Sequence, residues 1–231
     1  METVVEPMKL LNSVLLLLFC CKLLADDSAG VVVQIPEVHL PQGSFWEKNP
    51  KVRRRVSEDR DIIVLVKAQK SERKNYKHKL LMQGIGLVNT PVHEAFRIAK
   101  NFNNLKKVSD HIIESKYTEE NGQLFMHSEA FGYHAKMHMN TQVSEGEQKK
   151  SIRFQIYEGV FSGMVGVIRF VEQGSGKSEI QLLCEYHYEK LAIPKLFVEF
   201  GLEVVIQKIA AKMRTFLESQ DKEVVVERTG A

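Results

Sequence analysis

The sequence predicts an α+β domain: a curved antiparallel sheet wrapped on one long C-terminal helix, with two short helices between the early strands. Three observations point there. Apolar runs of strand length succeed one another from Ile62 onward, separated by turn residues and without the long connections that parallel strands require. A proline-initiated helical segment interrupts them after Thr90. A single long amphipathic stretch opening at Pro194 then completes the pattern.

Residues 62–66 and 80–88 read as the first two strands, joined by the polar stretch 71–77. Thr90-Pro91 starts a helix expected to reach Phe102: Thr90 suits a cap for free amides, Pro91 has its φ preset, and Glu94 suits the positive end. Val92, Ala95, Phe96 and Ala99 share one face of it, and a second helical turn is expected at 105–108. Runs at 112–117, 124–130, 133–143 and 152–157 follow, with Asn121-Gly122 as a hairpin signal because both residues tolerate positive φ.

Two further runs, 160–171 and 179–189, flank Gly174-Ser175-Gly176. In the last, Ile180, Leu182, Cys184, Tyr186 and Tyr188 alternate with Glu179, Gln181, Glu185, His187 and Glu189, which predicts one buried and one wet face. The run before it is apolar on both faces near 164–168 and therefore belongs at the centre of the sheet or under cover on both sides. From Pro194 to Leu217, Phe197, Phe200, Gly201, Val204, Ile209, Met213, Phe216 and Leu217 form the expected helical stripe, with Glu199, Glu203, Gln207 and Lys212 away from it.

The 231 residues, 44% hydrophobic and 26% charged, suit one globular domain with short extensions. The expected organisation is a signal peptide at 1–25, an irregular lead-in at 26–60, the folded domain at 61–219 and a C-terminal tail at 220–231 in which 224–226 could add an edge strand. Lys9 ahead of the apolar run 14–21, and small Ala25 before Asp26, have the pattern of an export signal. That run is well short of the ~20 residues a spanning helix needs, and Lys22 interrupts it.

An exported protein, periplasmic or secreted, is therefore expected. Met8 makes a more conventional start than Met1, because Glu2 and Glu6 put negative charge where such signals are positive. Cleavage after Ala25 would leave Cys184 as the one cysteine, without an internal disulfide. A net charge of +3 with interleaved signs gives no nucleic-acid footprint. The basic cluster at 48–55 reads as a solvated run, with a transient membrane-surface contact as the alternative.

Leu87-Val88-Asn89-Thr90-Pro91-Val92-His93-Glu94-Ala95-Phe96, placed after two strands, resembles the strand-to-helix junction of the START-like and polyketide-cyclase-like superfamily. Phe102-Asn103-Asn104-Leu105-Lys106-Lys107-Val108 is similar to its next segment, except that Ser109 and Asp110 stand where that family often has an aromatic. Phe161-Ser162-Gly163-Met164-Val165-Gly166, a Tyr-bearing last strand and Leu191-Ala192-Ile193-Pro194 extend the resemblance over 61–219. It implies a helix-grip fold whose cavity, between sheet and helix, takes sterols, phospholipids, quinones or polyketides in family members. Fold alone does not fix which.

His127, His134 and His138 invite a metal site. A hairpin turning at Phe131-Gly132 instead sets Glu129 opposite His134 and His127 opposite Lys136, and four strand residues separate His134 from His138 by about 13 Å, so no metal is expected. No cofactor is expected either, since Gly84-Ile85-Gly86 lies within a strand and lacks the third glycine of a phosphate cradle. The inner polar candidates are Tyr133, Tyr186, Tyr188, Cys184 and Ser128. Tyrosine hydroxyls orient ligands without chemistry, and a thiol in a Leu-rich strand reads as inert, so no catalytic residue is assigned.

Met126, Met137, Met139, Met164 and Met213 fall on elements bordering the interior, where methionine suits an irregular ligand or simply fills the core. The resemblance and this apolar lining together imply noncatalytic binding or transfer of a hydrophobic small molecule of the lipid, sterol or quinone class. The candidate lining is Tyr133, Met137, Phe161, Met164, Tyr186, Tyr188, Phe197, Phe200 and Val204. Two alternatives stay open: a cyclase-like enzyme in which Tyr133, Tyr186 or Tyr188 holds a carbonyl or enol, and a ligand-free protein-interaction module.

Overall fold

The computed structural model describes residues 34–38, 43–130, 132–146, 150–174, 176–190 and 197–229, without the side chains of 130, 133, 197 and 221–229. The expected signal segment lies outside these residues. Eight strands form one antiparallel sheet: β1 (Ile63–Lys70), β2 (His78–Val88), β3 (Ile112–Thr118), β4 (Gln123–Ala130), β5 (Tyr133–Glu145), β6 (Lys150–Gly159), β7 (Val165–Glu172) and β8 (Ser178–Tyr188). Their order across the sheet is β1-β2-β8-β7-β6-β5-β4-β3. Each polar turn read from the sequence joins neighbours, and the one long jump is from β2 to β3.

That jump carries the short helices. They are α3 (Val92–Ala99), a 3-10 turn (Phe102–Asn104) and α4 (Leu105–Val108). Pro91, not Thr90, occupies the N-cap of α3, and the buried Thr90 hydroxyl has no partner among the described residues. Phe96 sits fully buried on its inner side, edge-on to Phe170 with centroids 5.3 Å apart. A fully buried side chain of this size contributes about 1.5–3 kcal/mol of transfer free energy.

Two apolar layers sandwich the sheet. The inner layer includes Leu80, Met82, Phe96, Met137, Met139, Ile156, Phe170, Tyr186 and Leu217. The outer layer packs Trp46 and Val56 on Ile85, Leu87, Val167 and Leu183. Val167 beneath one layer and Phe170 beneath the other give β7 the two-sided cover its composition demanded.

The outer layer corrects two expectations. Where an irregular lead-in was expected, α1 (Phe45–Lys48) and α2 (Pro50–Ser57) are helical, because Asn49 accepts from the amides of Lys51 and Val52 and Pro50 opens the turn. The polar face of β8 is not wet: Glu179, Gln181, Glu185 and His187 are all under 10% exposed. Arg53 of α2 reaches Glu179 at 2.5 Å. In the loop between β1 and β2, Ser71 reaches His187 and Arg73 reaches Glu185.

The long helix differs in both phase and length. A π-turn (Phe197–Gly201) precedes α5 (Leu202–Thr229), which continues through 224–226 where an edge strand was expected. A π-turn inserts one extra residue relative to 3.6-residue periodicity. The inward stripe is therefore Leu202, Ile206, Met213, Phe216 and Leu217, not a uniform continuation from Phe197. Among the described residues no helix is long and apolar enough to cross a membrane.

Candidate functional site

The inner face of the sheet opposite α5 is the candidate site. Directly paired residues share a face, so the register fixes which side chains meet there: Met126 with Met137, Leu124 with Met139, Met82 with Cys184, and Leu80 with Tyr186. Tyr188 stacks on Tyr186 at 5.4 Å, and Phe161, brought in by the β6–β7 turn, stands edge-on to Tyr186 at 5.8 Å. All five methionines named from the sequence lie in this layer or pack against it.

Between α5 and the β1–β2–β8 corner lies an apolar cavity of about 80 Å³, lined by Ile62, Val64, Gly84, Gly86, Ile206, Ala210 and Met213 among others. The two glycines leave this space: a Cβ on Gly86 would come within 3.1 Å of Ile62. Its polar wall is Arg214, whose guanidinium donates to the carbonyl of Arg60 at 2.6 Å.

The predicted residues divide. Met137, Met164, Tyr186 and Tyr188 are buried in the inner layer and Phe161 packs on it. Val204 is half-buried on α5. Phe200 does not belong to the interior; it is 70% exposed, because the π-turn rotates it outward. The side chains of Tyr133 and Phe197 lie outside the described residues. The sequence reading missed Ser115, which pairs with Met126 on the inner face and whose buried hydroxyl has no partner among the described residues. Only the strand alternation of β3 could have flagged it, and a bulge between Ile112 and Glu114 obscures that alternation.

The inner polar groups hold their protons. Burial pushes the Cys184 thiol up to about 12. Burial also raises the Tyr186 hydroxyl, with Tyr188 and Tyr76 adding to it, and raises that of Tyr188, with Glu199 adding. At neutral pH these groups act as hydrogen-bond donors or acceptors rather than as bases or nucleophiles.

The histidines sit on the outer face in the register expected, Glu129 opposite His134 and His127 opposite Lys136. His127 and His134 approach to 3.1 Å, whereas His138 lies between Phe125 and Tyr157. No three metal-ligating side chains converge among the described residues.

Residues 88–214, more than half of the chain, match the family model described as polyketide cyclase / dehydrase and lipid transport. The chain belongs to this family. Solved structures share the fold. A START superfamily protein from Mycobacterium smegmatis is 14% identical over 62% of this chain and 98% of its own, with a TM-score of 0.51. A STAR-related lipid transfer protein from Xanthomonas axonopodis is 10% identical over 68% and 93%, with a TM-score of 0.52. At such identities the likeness is one of fold. A search of curated proteins finds no match. The polyketide cyclase / dehydrase and lipid transport family thus accounts for the helix-grip architecture and for an association with hydrophobic ligands, and the fold does not fix which ligand.

Proposed function

We propose that this chain binds and carries an apolar small molecule of the lipid, sterol or quinone class inside the grip, without transforming it. The protonation state of the inner face supports this reading most directly. Cys184, Tyr186 and Tyr188 are all neutral in an apolar layer, which suits holding a ligand and gives none of these three the charge that proton abstraction or nucleophilic attack needs. The Ser115 hydroxyl, without a partner among the described residues, offers a hydrogen bond to a ligand's polar end.

The 80 Å³ cavity is well below the ~300 Å³ at which ligand pockets begin, so loading requires α5 or the methionines to yield. Export to the periplasm or beyond is part of the proposal, motivated by Lys9, the apolar run 14–21 and Ala25. Native mass spectrometry of gently purified protein tests the binding: a mass above that of the bare chain, released as an extractable apolar compound, is expected. A bare mass together with no uptake of lipid probes would discard it. An N-terminus at or near Asp26 in exported material tests the location.

A further inference from the structure

We infer that the β1–β2 tip and the adjoining π-turn form a docking surface for an anionic phospholipid bilayer. The inference deepens the ligand-carrier reading and rests on it for its purpose, though not for its observations. The tip lies where β1 ends at Lys70, β2 begins at His78 and β8 ends at Tyr188, with His78 paired to both neighbours. The π-turn joins the same end, because Glu199 accepts from the Ala68 amide at 2.8 Å.

The loop is rich in cations, with Glu185, Glu189 and Glu199 adjoining it. From Lys67 to Lys79 stand Lys67, Lys70, Arg73, Lys74, Lys77 and Lys79 against Glu72 alone, a net +5 in a chain whose total is +3. Three of these cations are used within the fold: Lys79 pairs with Glu72 and Glu185, Arg73 with Glu185, and Lys77 with Glu189. Lys67, Lys70 and Lys74 are exposed and make no ion pair among the described residues. Beside them stand two exposed aromatics, Phe200 at 70% and Tyr76 at 42%. Unpaired lysines around aromatic tips match an interface of anionic head groups over an apolar layer.

The surface is held in shape beforehand. Ser71 shares a 2.8 Å hydrogen bond with Nδ1 of buried His187, whose Nε2 lies 2.5 Å from Glu185, and the Tyr76 ring rests 5.9 Å from that imidazole. An aromatic run leads inward from the tip: His78 stacks on Tyr188 at 5.3 Å, Tyr188 on Tyr186, and Tyr186 against Phe161. An apolar molecule leaving a bilayer at this end would meet that run first.

The test places a reporter at the tip by Phe200→Trp, with fully buried Trp46 as constant background. On vesicles of equal parts phosphatidylcholine and phosphatidylglycerol the added indole's emission is expected to shift to shorter wavelength and to be quenched by lipids spin-labelled near the head group. Adding Lys67→Gln, Lys70→Gln and Lys74→Gln together should weaken the vesicle titration about a hundredfold and flatten its salt dependence. Because the readout is local, membrane affinity of the N-terminal segment cannot produce it. Unchanged emission, equal response to phosphatidylcholine alone, or tighter binding of a single-stranded oligonucleotide than of the mixed vesicles would overturn the inference. Docking is read without ligand, so its failure leaves the ligand reading intact, and an empty interior in mass spectrometry leaves docking intact.

Discussion

Glu203 of α5 accepts a 2.8 Å hydrogen bond from the backbone amide of Val66 on β1. One turn earlier Glu199 does the same for Ala68, and one turn later Gln207 donates to the carbonyl of Ile62. Strand β1 is an edge of the sheet, and edge amides without partners invite pairing with another chain. The helix thus covers the apolar interior with one stripe and satisfies the open edge with the next. Any opening of the interior on this side must break those bonds.

Replacing Glu203 by alanine returns the Val66 amide to water and should lower stability by about 1 kcal/mol. Glu203→Gln keeps a carbonyl acceptor and should lose less. Urea unfolding of the two variants beside the parent distinguishes loss of the acceptor from loss of the charge.

Trp46 is fully buried against the outer face, and its indole N–H has no partner among the described residues. Truncation to alanine should therefore cost about 3–5 kcal/mol. Trp46→Phe should cost under about 1.5 kcal/mol, since it removes an unpaired polar group and keeps most of the ring. A Trp46→Ala midpoint equal to the parent's would show that α1 and α2 add nothing to the domain.

Gly159 sits at φ +107 with a Cβ position 2.0 Å from the Lys136 carbonyl, while Gly163 has φ +95 with nothing within 4 Å. Both changes to alanine strain the backbone, but the first also drives a methyl into main chain. Gly163→Ala should fold with a loss of about 1–2 kcal/mol. Gly159→Ala should fail to give a cooperative thermal transition.

Alkaline pH should destabilise the fold through Cys184. In the unfolded chain its thiol ionises near the ordinary value of 9.0, whereas burial holds it to about 12 in the fold. Between those values the unfolded state binds fewer protons, so stability falls as pH rises, by about 1.4 kcal/mol per unit. The raised Tyr186 and Tyr188 act in the same direction from their ordinary value of 10.0 upward, within the upper part of that window. Cys184→Ala should flatten the fall between pH 9 and the tyrosine range; an unchanged slope in urea unfolding would place the loss elsewhere.

Legibility in the sequence followed the range of the interactions. The register of the β4–β5 hairpin was readable because period-two alternation and a local turn fix it within a few residues. The inner placement of Tyr186 and Tyr188 was readable for the same reason. The outward position of Phe200 was not, because one π-turn resets the helical phase and no residue between Phe197 and Gly201 marks it. Ser115 was hidden by a bulge in its own strand.

The polar side of β8 shows where the boundary lies. Alternation by itself determined that Glu179, Gln181, Glu185 and His187 share one face, since successive side chains of a strand point to opposite sides. Whether that face meets water was decided only by tertiary structure. Arg53, more than a hundred residues earlier in the chain, pairs with Glu179, while Ser71, Arg73 and Lys79 enclose Glu185 and His187. Burial of a charge depends on partners gathered from distant sequence, and periodicity carries no information about them.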